Sequence, residues 1–189
     1  MYRTHVVVPG ALTADECAAL RALERSLEFR AGTVSLARAE HPETRRSRVA
    51  WLRRDEERFA WLFARIDRAL AAVNAQHFDV DYAPQGCAAL QYSIYDAGEQ
   101  GHYAAHMDDF LPATWPDARK LSVVVQLSSP DEYEGGTLRF RDLADPLRKE
   151  AREQGTVIVF PSILYHAVEP VSVGTRCSLV GWYSGSPWR

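Results

Sequence analysis

Three side chains in this sequence have the types and the spacing to hold one metal ion. His106 and Asp108 close the run Tyr95-Asp-Ala-Gly-Glu-Gln-Gly-His-Tyr-Ala-Ala-His106-Met-Asp108, and His166 stands far downstream. Side chains on an extended strand alternate between its two faces, so a His-x-Asp pair projects from one side. A second imidazole brought in from a distant strand would complete two histidines and one carboxylate around an ion. Such a facial set leaves coordination positions open and suits non-haem Fe(II) better than a closed structural zinc site. Binding would require neutral imidazoles and an ionised carboxylate.

The surroundings of His166 add a second kind of chemistry. The run Gly155-Thr-Val-Ile-Val-Phe-Pro-Ser-Ile-Leu-Tyr-His166 continues to Arg176-Cys-Ser178. Arg176 carries a guanidinium, which is permanently charged and can meet a carboxylate with two parallel hydrogen bonds. If Arg176 faces a pocket, alternation puts Ser178, Val180 and Trp182 beside it and turns Cys177 outward. The same rule groups Gln91 and Ser93 with Tyr95, and Ser122 and Val124 with Gln126. Tyr103 is a candidate aromatic wall, Leu138 and Val168 a candidate apolar lining. Asp109 points away from Asp108 on a regular strand and reads as a solvated neighbour or a supporting group.

These runs resemble the 2-oxoglutarate- and Fe(II)-dependent oxygenases, specifically the prolyl 4-hydroxylase-type catalytic domain. Tyr95-x-x-Gly98, Glu134-Gly-Gly-x-Leu138 and Arg45-x-Ser47-x-x-Ala50-Trp-Leu52 extend the likeness over nearly the whole chain. The resemblance implies Fe(II) on His106, Asp108 and His166. It also implies 2-oxoglutarate as co-substrate, with its far carboxylate on Arg176 and Ser178, and O2 as oxidant. Ascorbate is a possible reductant. Tyr95, Trp182 and Gln126 would complete the co-substrate pocket. Some relatives carry a tyrosine where Gln126 stands, so this contact departs from the family pattern. The implied reaction is hydroxylation of an unactivated C–H bond with release of succinate and CO2. Asp108 favours hydroxylation over halogenation, because halogenating relatives lack that carboxylate. The expected substrate is a prolyl or other side chain in a peptide or protein, met by Tyr103, Arg45 and Arg46. A free amino acid or small natural-product intermediate is the alternative. A non-oxygenase cupin-like metal enzyme or a binding protein stays open as well.

The elements that must position these residues follow from pattern. Thr13-x-x-Glu16 is a capping box that opens a helix bearing Cys17, Leu20, Leu23 and Leu27. Asp55 to Gln76 reads as a second amphipathic helix, with Phe59, Leu62, Phe63, Ile66, Leu70 and Val73 on its apolar face. His5–Val8, Val34–Leu36 and Val49–Leu52 read as extended. Residues 37 to 48 read as a mobile polar loop, and 38–48 and 109–119 as candidate lids over the mouth. Eight short strands follow: Phe78–Tyr82, Cys87–Tyr95, His102–His106, Leu121–Leu127, Thr137–Phe140, Thr156–Phe160, Tyr165–Val168 and Arg176–Trp182. The predicted fold is mainly β with flanking helices, a double-stranded β-helix (jelly roll) core backed by N-terminal helices. We expect one domain over residues 1–189, with helical support over 1–76 and the jelly-roll core over 77–185.

At 189 residues the chain can bury a sizeable core unaided. Net charge is −3 and the pI is near 6.1, which argues against a nucleic-acid partner. Three widely spaced cysteines suggest a reducing compartment. No apolar run is long enough for a membrane span or a signal peptide, so the expected location is cytoplasmic.

Overall fold

The computed structural model describes residues 3–34, 41–109, 118–141 and 147–187. Twelve strands among these residues form two curled antiparallel sheets. The larger sheet has the order β1 (Val6–Val8), β10 (Val157–Pro161), β7 (Ala118–Gln126), β12 (Val171–Gly185), β5 (Ala89–Asp96), β4 (Arg48–Arg53), β2 (Arg30–Ala31), with β8 (Tyr133–Gly135) on the far end of β12. The smaller sheet runs β3 (Arg45–Arg46), β6 (His102–His106), β11 (His166–Val168), β9 (Leu138–Phe140). The predicted jelly-roll core is present.

Two helices cover the outer face of the larger sheet. α1 (Ala14–Ala22) opens on the capping box. The Thr13 hydroxyl accepts from the Glu16 amide at 3.2 Å, and the Thr13 amide donates to the Glu16 carboxylate at 2.8 Å. α2 (Ala60–Val73) buries Leu62, Phe63, Ile66, Leu70 and Val73 at helical spacing. Both pack against Leu52, Leu90, Tyr92, Ile94, Leu121, Val123, Val125, Cys177, Leu179 and Tyr183 of the sheet. Each large apolar side chain removed from water contributes roughly 1.5–3 kcal/mol, so this outer face carries much of the stability. Arg65 ties α2 to Glu16 of α1 at 2.8 Å.

The two faces of the central strands therefore have opposite characters. The apolar set of β5, β7 and β12 goes outward beneath the helices. The polar set goes into the barrel, with Arg176 opposite Tyr95, Ser178 opposite Ser93 and Gln126, and Trp182 opposite Ser122. Cys177 thus leaves the barrel as expected but is only 1% exposed, because helix and loop residues cover that face.

Several boundaries differ from expectation. Residues 78–82 form no strand. α2 runs into a wide helical turn (Asn74–Phe78) closed by Asp79 in the left-handed region at φ 50°, where the Asn74 amide pairs with both the N–H and the C=O of Val80. Part of the expected loop over 37–48 is strand instead. Arg45 and Arg46 pair with Tyr103 and His102, and Arg48 begins β4. The helical and jelly-roll parts are not cleanly divided at residue 76, since β1 to β4 all join the sheets. Residues 35–40 and 110–117, which hold parts of both candidate lids and of the expected Val34–Leu36 strand, lie outside the described residues. No helix among the described residues is long and apolar enough to cross a membrane.

Candidate metal and co-substrate site

His106 ends β6 and His166 begins β11, and the two are direct cross-strand partners. Asp108 follows two residues after His106. Its amide and that of Asp109 both donate to the Ser162 carbonyl, at 2.9 and 3.1 Å, which turns the chain so that the carboxylate returns to the histidines. One ligand atom from each of the three residues lies within 4.8 Å of the others. The Asp108 oxygens stand 3.6 Å from His106 Nε2 and 3.5 Å from His166 Nε2.

Both imidazoles are oriented by the backbone. His106 Nδ1 lies 2.9 Å from the Ala104 carbonyl, and His166 Nδ1 lies 2.9 Å from the Leu164 carbonyl. A carbonyl only accepts, so each Nδ1 carries the proton and each Nε2 presents its lone pair to the ion site. Tyr103 stacks on His106 at 3.6 Å between centroids, and Phe160 meets His166 edge-on at 4.8 Å. Ser122 donates to Asp108 Oδ2 at 2.7 Å and lies 2.9 Å from the Ser162 hydroxyl.

The protonation states suit a metal. Burial pushes the Asp108 carboxyl up, but His166, His106 and the Ser122 hydroxyl outweigh it and hold the group well below the usual carboxylate range. Burial, helped by repulsion from His106, holds His166 below the ordinary imidazole value against the attraction of Asp108. The set is thus an ionised carboxylate with a neutral His166.

Arg176 lies on the same inner face and is 1% exposed. Its Nη2 donates to Gln126 Oε1 at 3.0 Å, while Nε and Nη1 are buried and have no partner among the described residues. Its guanidinium sits 5.5 Å over the Tyr95 ring. Among the described residues no carboxylate lies within ion-pair distance of it. A buried cation with two idle donors is a receptor for an anion, because unpaired buried charge is costly. Gly136 lets the chain come close at φ 59°; a Cβ there would meet the Arg176 Cδ at 3.1 Å.

One pocket joins these parts. It is lined by Tyr95, Tyr103, His106, Asp108, His166, Arg176, Ser178 and Trp182, with Val124, Leu138 and Val168 as apolar walls. Gln126 is placed differently from expectation. Its amide is spent on Arg176 and on the Ala151 carbonyl (3.0 Å), and it does not line the pocket. Trp182 has a buried Nε1 with no partner among the described residues and is covered by Arg119 at 4.4 Å. Arg45 is buried against Tyr103 at 4.5 Å, whereas Arg46 is exposed. Asp109 is buried rather than solvated. Ser162 carried no signal in the sequence. Ser122 had one, its phase with Gln126, but serine alone does not distinguish a ligand's support from filler.

The donor chemistry fits Fe(II) held by two imidazoles and a carboxylate, and the unpartnered nitrogens of Arg176 fit an anionic group beside it. A "PKHD-type hydroxylase" of Prochlorococcus marinus is 40% identical over 80 residues, which is 42% of this chain and 35% of the relative. The chain spans half or less of the length of the curated relatives it matches. A viral collagen prolyl hydroxylase of Paramecium bursaria Chlorella virus-1, solved as its 2-oxoglutarate complex, superposes with a TM-score of 0.71 at 21% identity, covering 97% of each chain. A Pseudomonas putida prolyl-4-hydroxylase gives 0.70 at 24% identity, over 95% of this chain and 92% of its own. Residues 90–184, which contain all three candidate ligands and Arg176, match the model of the 2OG-Fe(II) oxygenase superfamily, and the chain belongs to that family.

Proposed function

We propose that this chain hydroxylates an unactivated C–H bond of a prolyl or other side chain in a peptide or protein, consuming 2-oxoglutarate and O2 and releasing succinate and CO2. The observation that carries this reading is the sharing of one pocket by the His106–Asp108–His166 set and the two idle nitrogens of Arg176. The "PKHD-type hydroxylase" relatives support the reaction class.

In this reading His106 and His166 bind through Nε2 and Asp108 through a carboxylate oxygen. The ion supplies oxygen activation coupled to decarboxylation of the co-substrate. Arg176, with Ser178, pairs with the far carboxylate of 2-oxoglutarate. Gln126, held by the Ala151 carbonyl, acts through Arg176, accepting from Nη2 and leaving Nε and Nη1 unspent. The Tyr95 ring covers one side of the guanidinium. Val124, Leu138 and Val168 keep water from the reacting centre, which strengthens every charge interaction there. Tyr103 and Trp182 flank the space left for the target residue. Arg45 reaches that wall with a buried Nη2 that lacks a partner among the described residues, a donor suited to a substrate carbonyl or carboxylate.

Succinate formation under Fe(II) and ascorbate, screened with peptide pools and free amino acids, tests the proposal. Stimulation by peptides supports it. Stimulation by free amino acids alone moves the substrate to a small molecule, and no 2-oxoglutarate turnover under any condition refutes the reaction.

A further inference from the structure

Next to Arg45, the strand partner of Tyr103, the surface opens into a groove walled by Phe29, Arg30, Arg45, Arg46, Arg48 and Glu99. Among the described residues, four arginines and one glutamate line it, in a chain whose net charge is −3. The arginines' hydrogen bonds do not neutralise them. Arg46 donates to the backbone carbonyls of Pro42 (3.1 Å) and Glu99 (3.3 Å). Arg45 donates to the Ser47 hydroxyl (2.8 Å) and the Thr33 carbonyl (3.3 Å), and its buried Nη2 has no partner among the described residues. Arg48 lies 5.7 Å over the Phe29 ring. Arg30 alone of the four has a described carboxylate within ion-pair range, Glu28 at 3.8 Å, and both side chains are more than four-fifths exposed. An exposed pair of that kind leaves most of the positive potential in place.

Arg45 of the groove touches Tyr103 of the reaction pocket. Arg45 lies 4.5 Å over one ring, Tyr103, which stacks at 3.6 Å on the candidate ligand His106. An extended peptide advances about 3.3–3.6 Å per residue, so a chain with its target residue at the metal reaches Arg45 within a few residues. We propose that the groove binds an acidic segment of a polypeptide substrate, with Asp or Glu side chains flanking the residue that is oxidised. This inference deepens the hydroxylase reading and rests on it for the identity of the neighbouring pocket.

Three fluorescein-labelled dodecapeptides test it, identical except that the residues flanking a central proline are Glu, Gln or Lys. Polarisation is measured on protein loaded with Mn(II) and 2-oxoglutarate. The Glu peptide is expected to bind at least about tenfold tighter than the Gln peptide and to weaken as salt is raised from 50 to 200 mM. Arg46→Glu/Arg48→Glu is expected to abolish the preference while keeping the thermal shift on Mn(II) and 2-oxoglutarate, which shows an intact fold and pocket. Equal binding of Glu and Gln peptides overturns the proposal, as does a double variant that keeps the preference. Competition by a single-stranded oligonucleotide as effective as the Glu peptide also overturns it, because the surface is then a general polyanion site. A wild type that shows the Glu preference without any 2-oxoglutarate shift keeps the groove and sinks the hydroxylase reading instead.

Discussion

Replacing Arg176 with methionine should move the stability of the empty and the loaded protein in different ways. Among the described residues the 1% exposed guanidinium has one hydrogen-bond partner, Gln126 at 3.0 Å, and no carboxylate in reach. A buried charge without a counter-charge costs several kcal/mol. Methionine fills a similar path without charge. Against that gain, Gln126 Oε1 loses its donor, a penalty of about 1–3 kcal/mol. The empty variant should therefore melt no lower than the wild type. With 2-oxoglutarate at a hundredfold excess over its Kd, the wild type gains about 2.7 kcal/mol. For a domain of this size that is a shift of about 5–10 °C. The variant forfeits two charge-assisted contacts worth about 1.5–3 kcal/mol each, so its Kd rises by a factor between about 10² and 10⁴ and the shift disappears. Differential scanning fluorimetry with Mn(II), with and without 2-oxoglutarate, reads both quantities. An empty variant that melts several degrees lower while keeping its full ligand shift would refute the role given to Arg176.

Other outcomes are as specific. Alanine at His106, Asp108 or His166 should abolish succinate formation and tight Mn(II) binding, measured by turnover and by titration calorimetry. Ser122→Ala removes the 2.7 Å hydrogen bond to Asp108 and should weaken metal binding about 10–100-fold with little loss of fold, read by the same titration and by circular dichroism. Gly135→Ala should cost several kcal/mol in denaturant melts, because φ is 71° and the added Cβ would lie 2.2 Å from the Pro170 carbonyl. Burial pushes the Cys17 and Cys177 thiols up to about 11, aided by Glu16 and Glu24 respectively. Raising a thiol's pKa empties its thiolate form, so at pH 8 only about one in a thousand is reactive. Mass spectrometry after iodoacetamide should find both unlabelled in the native protein and labelled in urea.

Much of this was legible in residue order because the central strands alternate so strictly. Leu121-Ser122-Val123-Val124-Val125-Gln126 separates into Leu121, Val123 and Val125 beneath the helices and Ser122, Val124 and Gln126 inside the barrel. Arg176-Cys177-Ser178 divides the same way, so the pocket-facing set could be named before the fold was seen. Two kinds of feature were not legible. Short strands such as β2, β3 and β8 carry no pattern of their own and exist because a neighbour supplies partners, as β6 does for Arg45 and Arg46. The use of Gln126 was hidden for another reason. Alternation tells which way an amide points, but not whether a carbonyl such as that of Ala151 waits there to claim it.

The tethering of both imidazoles to main-chain carbonyls has a chemical cost for the cell. Rings held in place before any ion arrives fix the geometry on offer, but an open three-ligand set of imidazoles and carboxylate still accepts several divalent ions. Divalent cobalt, nickel, copper and zinc then compete on intrinsic affinity, and all rank above ferrous iron, with copper highest. Correct loading would fall to the supply of metals in the surroundings, and protein passed over a nickel resin would carry the wrong one.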